Sequence, residues 1–296
     1  ATVTVRYCTS NTTNGSGMLT TNCATPVSTT PSTVTGTSVT NVSVALSGLS
    51  RDGRHYFYAN PLESNGTPAR WEWHACPCCT MNVARLIGSV GGYFCSSAED
   101  RIALHLYGGI STSVELKFGK VALRETSNYP WSGEVSIEID PEAESEFTLN
   151  LRVPGWCKGA SASVNGQAVK TAPVKGYLPI RRVWKKGDVV RLDLPMPPER
   201  VYAHPSVSMD VARVALSRGP LIYCVEEADN HGRPVQRLKL ARGSALTFAM
   251  RPDLFDGAVT LSADALSIRD SDWEDTLYRN AAPAKDPASL TAIPYY

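Results

Sequence analysis

Hydrophobic residues alternate with polar ones in the part of the sequence that follows Tyr93. A two-residue period is typical of β-strands, because successive side chains point to opposite faces of a sheet. Asn165-Gly166 and Lys186-Gly187-Asp188 are turn signals that predict hairpins between such strands. Many short strands at this spacing predict a β-sandwich. The clearest alternating sets are Val135, Ile137 and Ile139; Phe147, Leu149 and Leu151; and Val190, Leu192 and Leu194.

One segment instead has a helical pattern. Residues 82–90 predict a helix that Thr80 or Asn82 caps and that Gly91-Gly92 ends. Its apolar face consists of Val83, Leu86 and Ile87. A cysteine-rich stretch, residues 76–79, would form the loop that leads into this helix. Because the first N–H groups of a helix have no backbone partner, this position favours a thiolate over a thiol.

The first 45 residues differ from the rest of the chain. Arg6 is their only charged residue, Thr and Ser dominate, and no helical or strand period is sustained. The segment is open to three interpretations: a glycosylated stalk or linker, a disordered segment, or a degenerate or out-of-frame stretch.

The remaining sequence is typical of a globular protein and predicts three further parts. Residues 46–95 contain the cysteine motif and the helix, and residues 96–199 contain the strands of a first β-sandwich. Pro195, Pro197 and Pro198 interrupt the strand pattern and indicate a boundary near residue 200. Residues 200–296 are again rich in strand patterns and predict a second sandwich, either complete or truncated.

Composition excludes several classes of protein. Lys plus Arg number 29 and Asp plus Glu number 28, so the formal charge is 29 − 28 = +1. A nucleic-acid binder or a binder of anionic membranes would need a basic excess or a basic run, and neither is present. No apolar run approaches the roughly 20 residues that cross a bilayer. The sequence also starts without the pattern of a signal peptide, which predicts a cytoplasmic location.

Eight cysteines carry the candidate chemistry. Cys95, Cys157 and Cys224 are isolated in apolar surroundings, which is typical of small buried hydrophobes. Cys76, Cys78 and Cys79 instead lie within four positions, and dense thiols in a long chain favour a metal site over a disulfide. Zinc needs about four ligands, so others would have to come from elsewhere. An inert or redox-active thiol pair, or simple packing, remains the alternative to a metal site.

Five segments of the sequence resemble the bacterial β-L-arabinofuranosidases of glycoside hydrolase family 127. They are residues 52–64 (DGRHYFYANPLES), 73–94 (WHACPCCTMNVARLIGSVGGYF), 151–156 (LRVPGW), 176–197 (GYLPIRRVWKKGDVVRLDLPMP) and 213–226 (RVALSRGPLIYCVE). The resemblance implies a mainly β chain: two β-sandwich domains, preceded by a short remnant of an (α/α)6 barrel that comprises its last helix and the cysteine loop. It also implies a retaining exo-glycosidase that hydrolyses β-L-arabinofuranosides in oligosaccharides or glycoconjugates, with a zinc-bound cysteine as nucleophile.

Carried over by residue, the resemblance assigns three site positions. Cys78 would be the nucleophile and a ligand of Zn²⁺, Cys79 a second zinc ligand, and Tyr58 a residue that lines the sugar pocket. Cys76 matches a common family cysteine that is not expected to bind the metal. Glu63 and Glu72 are the nearest acids, but they match no family position and are expected to be solvated loop residues.

The sequence also departs from the family pattern. The family's acid/base glutamate and its remaining zinc ligands, a Glu and a Cys two residues apart, lie upstream of the adjacent cysteines. Here that window is the Ser/Thr-rich segment, which contains no Glu. The sequence therefore predicts a C-terminal fragment of such a glycosidase with impaired activity. The alternative is a non-catalytic carbohydrate-binding or structural β-sandwich protein with a vestigial cysteine loop.

Overall fold

A computed structural model describes residues 2–5, 11–13, 19–21, 38–45, 54–55, 64, 67, 69–72, 75, 78–254, 257–271, 273 and 276–295. Within these ranges the chain has one α-helix and 21 strands, and it divides into two compact units, residues 1–195 and 196–296. The predicted mainly β class is thus confirmed. The limits of the four sequence-based segments stay predictions.

The first unit contains the helix and fourteen of the described strands. The helix is α1 (Cys78–Ser89), and the strands are β1 (Thr2–Val5), β2 (Asn11–Thr13), β3 (Leu19–Thr21), β4 (Ser38–Ala45), β5 (Cys95–Ala98), β6 (Arg101–Leu104), β7 (Ile110–Leu116), β8 (Gly119–Ser127), β9 (Glu134–Pro141), β10 (Ser145–Arg152), β11 (Ser161–Val164), β12 (Gln167–Ala168), β13 (Tyr177–Trp184) and β14 (Asp188–Asp193). Four of these strands lie in residues 1–45, where the sequence shows no sustained period.

Two sheets form a sandwich in the first unit. One has eight strands in the order β1-β4-β7-β8-β9-β14-β11-β12, and the other has four in the order β13-β10-β6-β5. Alternate residues of both sheets enter one shared apolar core, which stabilises the unit because burial removes their surface from water. The predicted alternation is therefore real: Val135, Ile137, Ile139, Phe147, Leu149, Leu151, Val190, Leu192 and Leu194 are all buried.

The two predicted turns have different outcomes. Asn165 (φ 51°) and Gly166 (φ 80°) both adopt the left-handed conformation and join the antiparallel pair β11 and β12, so this hairpin is confirmed. Gly187 (φ 80°) also lies in a tight turn, closed by Asp188 N–H donating to Lys185 O at 3.1 Å. Its flanking strands, however, pair in opposite sheets, β13 with β10 and β14 with β9. This turn crosses the sandwich, and the predicted hairpin is wrong.

The second unit contains seven described strands in one connected set of ladders. They are β15 (Pro198–Val201), β16 (Ala215–Arg218), β17 (Leu221–Cys224), β18 (Leu238–Leu240), β19 (Thr247–Arg251), β20 (Ala258–Ile268) and β21 (Lys285–Pro294). Strand β21 pairs with β20 and, at its end, with β17, which connects the two halves of the sheet. The buried Asn230 side chain donates to Thr291 O and accepts from Thr291 N–H, both at 2.9 Å. These two hydrogen bonds attach the segment that contains Asn230 to β21.

The helix begins earlier than the sequence indicated. It starts at Cys78, not at residue 82, so Asn82 lies inside it, where its Nδ2 donates to Cys78 O at 2.9 Å. Leu86, assigned to the apolar face, is 55% exposed. No helix of the described ranges is long and apolar enough to cross a bilayer. The helix is consistent with the expected barrel remnant.

A buried carboxyl group lies in the sandwich core. Glu125 is 3% exposed; its Oε1 accepts hydrogen bonds from Gly108 N–H (2.8 Å) and Gly109 N–H (3.2 Å), whereas its Oε2 has no partner. Burial raises the pKa of Glu125 to about 7, because the charged form loses its hydration. The two backbone donors offset this rise only in part.

The pKa of Glu125 predicts a pH dependence of folding. Between the unfolded value of 4.5 and the folded value of about 7, only the unfolded chain ionises. Stability should therefore fall by about 3 kcal/mol as the pH rises through this window. Glu125→Gln should remove that slope in urea titrations at pH 5 to 8, and Glu115→Gln, at an exposed position of β7, should keep it. An unchanged slope in Glu125→Gln would contradict this assignment.

Candidate functional site

Cys78 is the described member of the predicted cysteine site. It is the first residue of α1, its side chain is exposed, and the first turn of the helix contains no acidic residue. The N–H groups of this first turn have no partner within the helix. This end of the helix dipole stabilises negative charge, which favours the thiolate of Cys78.

The side chain of Asn82 connects the first turn to the second. Its Nδ2 donates to Cys78 O, and its Oδ1 accepts from Arg85 Nη1 at 3.4 Å. The helix-start position of Cys78 is thus supported from within the helix.

Other predicted positions fall outside the described residues. These are Tyr58, Glu63, Cys76 and the side chain of Cys79, whose backbone lies in the first turn of α1. Glu72 is described: it is exposed, and its Oε1 lies 3.4 Å from His55 Nε2. An exposed carboxylate beside an imidazole agrees with the expected solvated loop residue.

The three isolated cysteines are poor nucleophiles. Cys95, Cys157 and Cys224 are free thiols. Burial raises the pKa of Cys95 to about 11, and burial together with the Glu226 carboxylate raises that of Cys224 to about 12. Burial also raises the pKa of Cys157. Few of these thiols are ionised at neutral pH, which leaves Cys78 as the exposed candidate among the four.

The described ranges contain no group of three or more His, Cys, Asp or Glu side chains that could hold a metal ion. The chemistry of Cys78 and Cys79 suits zinc, because thiolates are soft ligands. Two sulfur atoms make up only half of the usual zinc shell, so the described residues do not complete a site.

Sequence reasoning missed a second polar cluster, on the outer face of the four-stranded sheet. Ser96 Oγ lies 2.8 Å from His105 Nε2, and His105 Nδ1 lies 2.7 Å from Tyr177 OH. Burial, and then the positive charge of Arg152, lowers the pKa of His105 and so favours the neutral ring. The cluster thus links β5 to β13 through His105, which directly follows β6. The alternating pattern could place these residues on the outer face but could not indicate their partners.

Family models match nearly all of the chain from residue 40 onward. The β-L-arabinofuranosidase, GH127 catalytic domain matches residues 40–92, a range that includes α1 and Cys78. The β-L-arabinofuranosidase, GH127 middle domain matches residues 101–196, and the glycoside hydrolase family 127 C-terminal domain matches residues 198–296.

Individual proteins agree with these matches. The chain is 31% identical, over 276 residues, to the non-reducing end β-L-arabinofuranosidase of Bifidobacterium longum subsp. longum, covering 85% of this chain and 41% of that protein. A crystal structure of a GH127 β-L-arabinofuranosidase from Geobacillus stearothermophilus T6 matches with a TM-score of 0.79 at 41% identity, covering 84% of this chain and 41% of the other. A second GH127 β-arabinofuranosidase structure matches with a TM-score of 0.75 at 34% identity, covering 84% of this chain and 40% of the other. The chain thus spans about two fifths of the length of these relatives.

Proposed function

Because this chain belongs to glycoside hydrolase family 127, we propose that it forms part of a retaining glycosidase that cleaves β-L-arabinofuranosides with Cys78 as its nucleophile. One observation carries the proposal. Cys78 is exposed at the start of a helix, within the segment that matches the catalytic domain of the family. Its substrate would be an oligosaccharide or glycoconjugate with a terminal arabinofuranosyl unit.

The proposed reaction has two displacements at one carbon. In the first, Cys78 Sγ bonds to the anomeric carbon while the bond to the aglycone oxygen breaks, and that oxygen takes up a proton. In the second, a water oxygen replaces Sγ and loses a proton, and Cys78 leaves as a thiolate. Two inversions retain the configuration, as in enzymes that use a carboxylate in this role.

Cys78 and Cys79 are the residues that would hold zinc. Bound to sulfur, Zn²⁺ would keep Cys78 ionised at neutral pH and make it a better leaving group in the second displacement. The helix start favours the same ionised form of Cys78 independently of the metal. The free thiols of Cys95, Cys157 and Cys224 favour a reducing compartment such as the cytoplasm.

The proposed reaction also needs a proton donor, and none of the described residues is assigned to this role. Residues 1–45 contain no Glu, and Glu72 already lies beside His55 at an exposed position. General acid assistance typically contributes about 10²–10⁴-fold to a rate. We therefore expect the chain alone to hydrolyse ordinary arabinofuranosides slowly.

Metal analysis tests the zinc assignment. The purified chain should contain zinc, and Cys79→Ser should lose most of it, because a serine hydroxyl is a much weaker zinc ligand than a thiolate. Cys157→Ser, which alters a half-buried thiol elsewhere in the same unit, should keep the zinc of the unmodified chain. Equal zinc contents in the two variants, measured by plasma mass spectrometry, would contradict the assignment.

A further inference from the structure

A groove on the outer face of the eight-stranded sheet takes no part in the chemistry proposed above. It is open to solvent, has a volume of about 380 Å³ and lies across β7, β8 and β9. Sites for small molecules typically have about 300–1,000 Å³. The outward side chains that line the groove are Ser111, Ser113, Ala122, Arg124, Glu138 and Asp140.

The register of the three strands arranges these side chains in two rows. Ala122 on β8 pairs with Ser113 on β7 and with Asp140 on β9. Arg124, two residues further along β8, pairs with Ser111 and Glu138 in the same way. Because Ala122 ends at a methyl group, it leaves space beside the longer side chains of the other row. The groove thus lies where three small residues, Ser111, Ser113 and Ala122, adjoin the longer side chains of Arg124, Glu138 and Asp140.

The charged groups beside this space are available to a ligand. Arg124 and Glu138 are exposed cross-strand neighbours, yet no ion pair joins them in the part of the chain that the structure describes. Asp140 is held in place, since its Oδ1 accepts from Gly187 N–H at 2.7 Å. The groove therefore presents one guanidinium donor and two carboxylate acceptors on a rigid sheet.

These groups disfavour two chemical classes of ligand. Two carboxylates against one guanidinium leave the groove with a formal negative charge, which disfavours phosphate and other anions. Its outward lining has no aromatic or large aliphatic side chain, which disfavours an apolar ligand. A neutral polyol satisfies both conditions, because its hydroxyl groups donate to carboxylates and accept from arginine.

We propose that this groove is an accessory sugar-binding site, separate from Cys78, that holds an arabinofuranosyl unit of the substrate through Arg124, Glu138 and Asp140. The choice of arabinofuranose as the sugar rests on the proposed function. A second sugar site on the same chain would keep a branched or polymeric substrate close to the enzyme after each cleavage, since linked sites raise the effective concentration of one another's ligand.

Amide chemical shifts of the isotope-labelled chain, titrated with methyl β-L-arabinofuranoside, test this site. The titration uses Cys78→Ala, which cannot turn the probe over, so its outcome is independent of the proposed reaction. The amides of Ala122 and Glu138 should shift. Arg124→Ala and Glu138→Gln should each weaken binding about tenfold or more, as expected for hydrogen bonds to charged groups. Glu115→Gln, an exposed acid on β7 outside the groove, should leave binding unchanged.

Three outcomes would overturn the proposal. The Ala122 and Glu138 amides could fail to shift, the affinity could be the same in Arg124→Ala, Glu138→Gln and the parent chain, or inorganic phosphate could bind the groove more tightly than the sugar. Ala122→Ile adds a second check that does not alter charge. It should reduce binding by filling the groove, and β-branched residues fit exposed strand positions without loss of the fold.

Discussion

An arabinofuranoside with a poor leaving group should react at least about 10²–10⁴-fold more slowly with this chain than one with a dinitrophenyl leaving group, because acid assistance of that size is what a poor leaving group lacks here. The physical reason is that no described residue is assigned as a proton donor: dinitrophenolate departs without protonation, whereas an alkoxide does not. Cys78 can therefore displace dinitrophenolate without acid assistance but cannot displace an alkoxide in this way. Rates for a series of aryl and alkyl β-L-arabinofuranosides, each corrected for the uncatalysed reaction, measure this dependence.

A nearly flat dependence on the leaving group would contradict the prediction and would mean that an acid not identified here protonates the aglycone. Glu72→Gln provides the matched control, since Glu72 is the acid nearest to Cys78 in sequence among the described residues. It should leave the whole series unchanged, because its carboxylate is exposed and faces His55.

Trp184→Ala should lower the free energy of unfolding by about 3–5 kcal/mol. The indole is fully buried in the first unit, its ring stacks on Phe147 at a centroid distance of 5.6 Å, and its Nε1 donates to Phe147 O at 3.0 Å. The substitution leaves a cavity between the two sheets and removes the indole N–H group that donates to Phe147 O. Urea unfolding followed by far-ultraviolet circular dichroism measures the loss.

Val183→Ala is the matched control for this prediction. Val183 is the preceding residue of β13 and is 48% exposed on the opposite face, so its truncation should cost well under 1 kcal/mol. Trp184→Phe should give an intermediate loss, because it keeps an aromatic ring but no donor. Equal effects of Trp184→Ala and Val183→Ala would show that this core does not hold the sandwich together.

Much of the sandwich could be predicted because its signal is local. Leu149 and Leu151 alternate with polar neighbours and are fully buried, and Asn165-Gly166 forms the expected hairpin. The turn at Gly187 has equally clear local chemistry, yet its strands lie in different sheets. A turn signal gives the change of direction of the chain, but the pairing of the strands depends on contacts distant in sequence.

The candidate site was only partly visible in the sequence. The adjacent cysteines and their neighbourhood indicate a candidate chemistry, which stays a prediction, and the sequence places the start of the helix after them, whereas α1 begins at Cys78. Pro77, directly before Cys78, is a signal in the sequence that a helix starts here, since proline is common at the start of a helix and rare in its interior. Glu125 continues the alternation of Val121 and Leu123, so the pattern places it on the inward face of β8, but the sequence could not show which groups surround its carboxyl. Its burial follows from the packing of two sheets.

Mass spectrometry of the Cys78 peptide tests the central claim most directly. After incubation with dinitrophenyl β-L-arabinofuranoside and rapid acid quenching, the peptide should carry one pentosyl group on sulfur, and Cys78→Ala should carry none. The peptides of Cys95, Cys157 and Cys224 should remain unmodified, because burial raises the pKa of each thiol. An unmodified Cys78, or a pentosyl group on another residue, would contradict the assignment of Cys78 as the nucleophile.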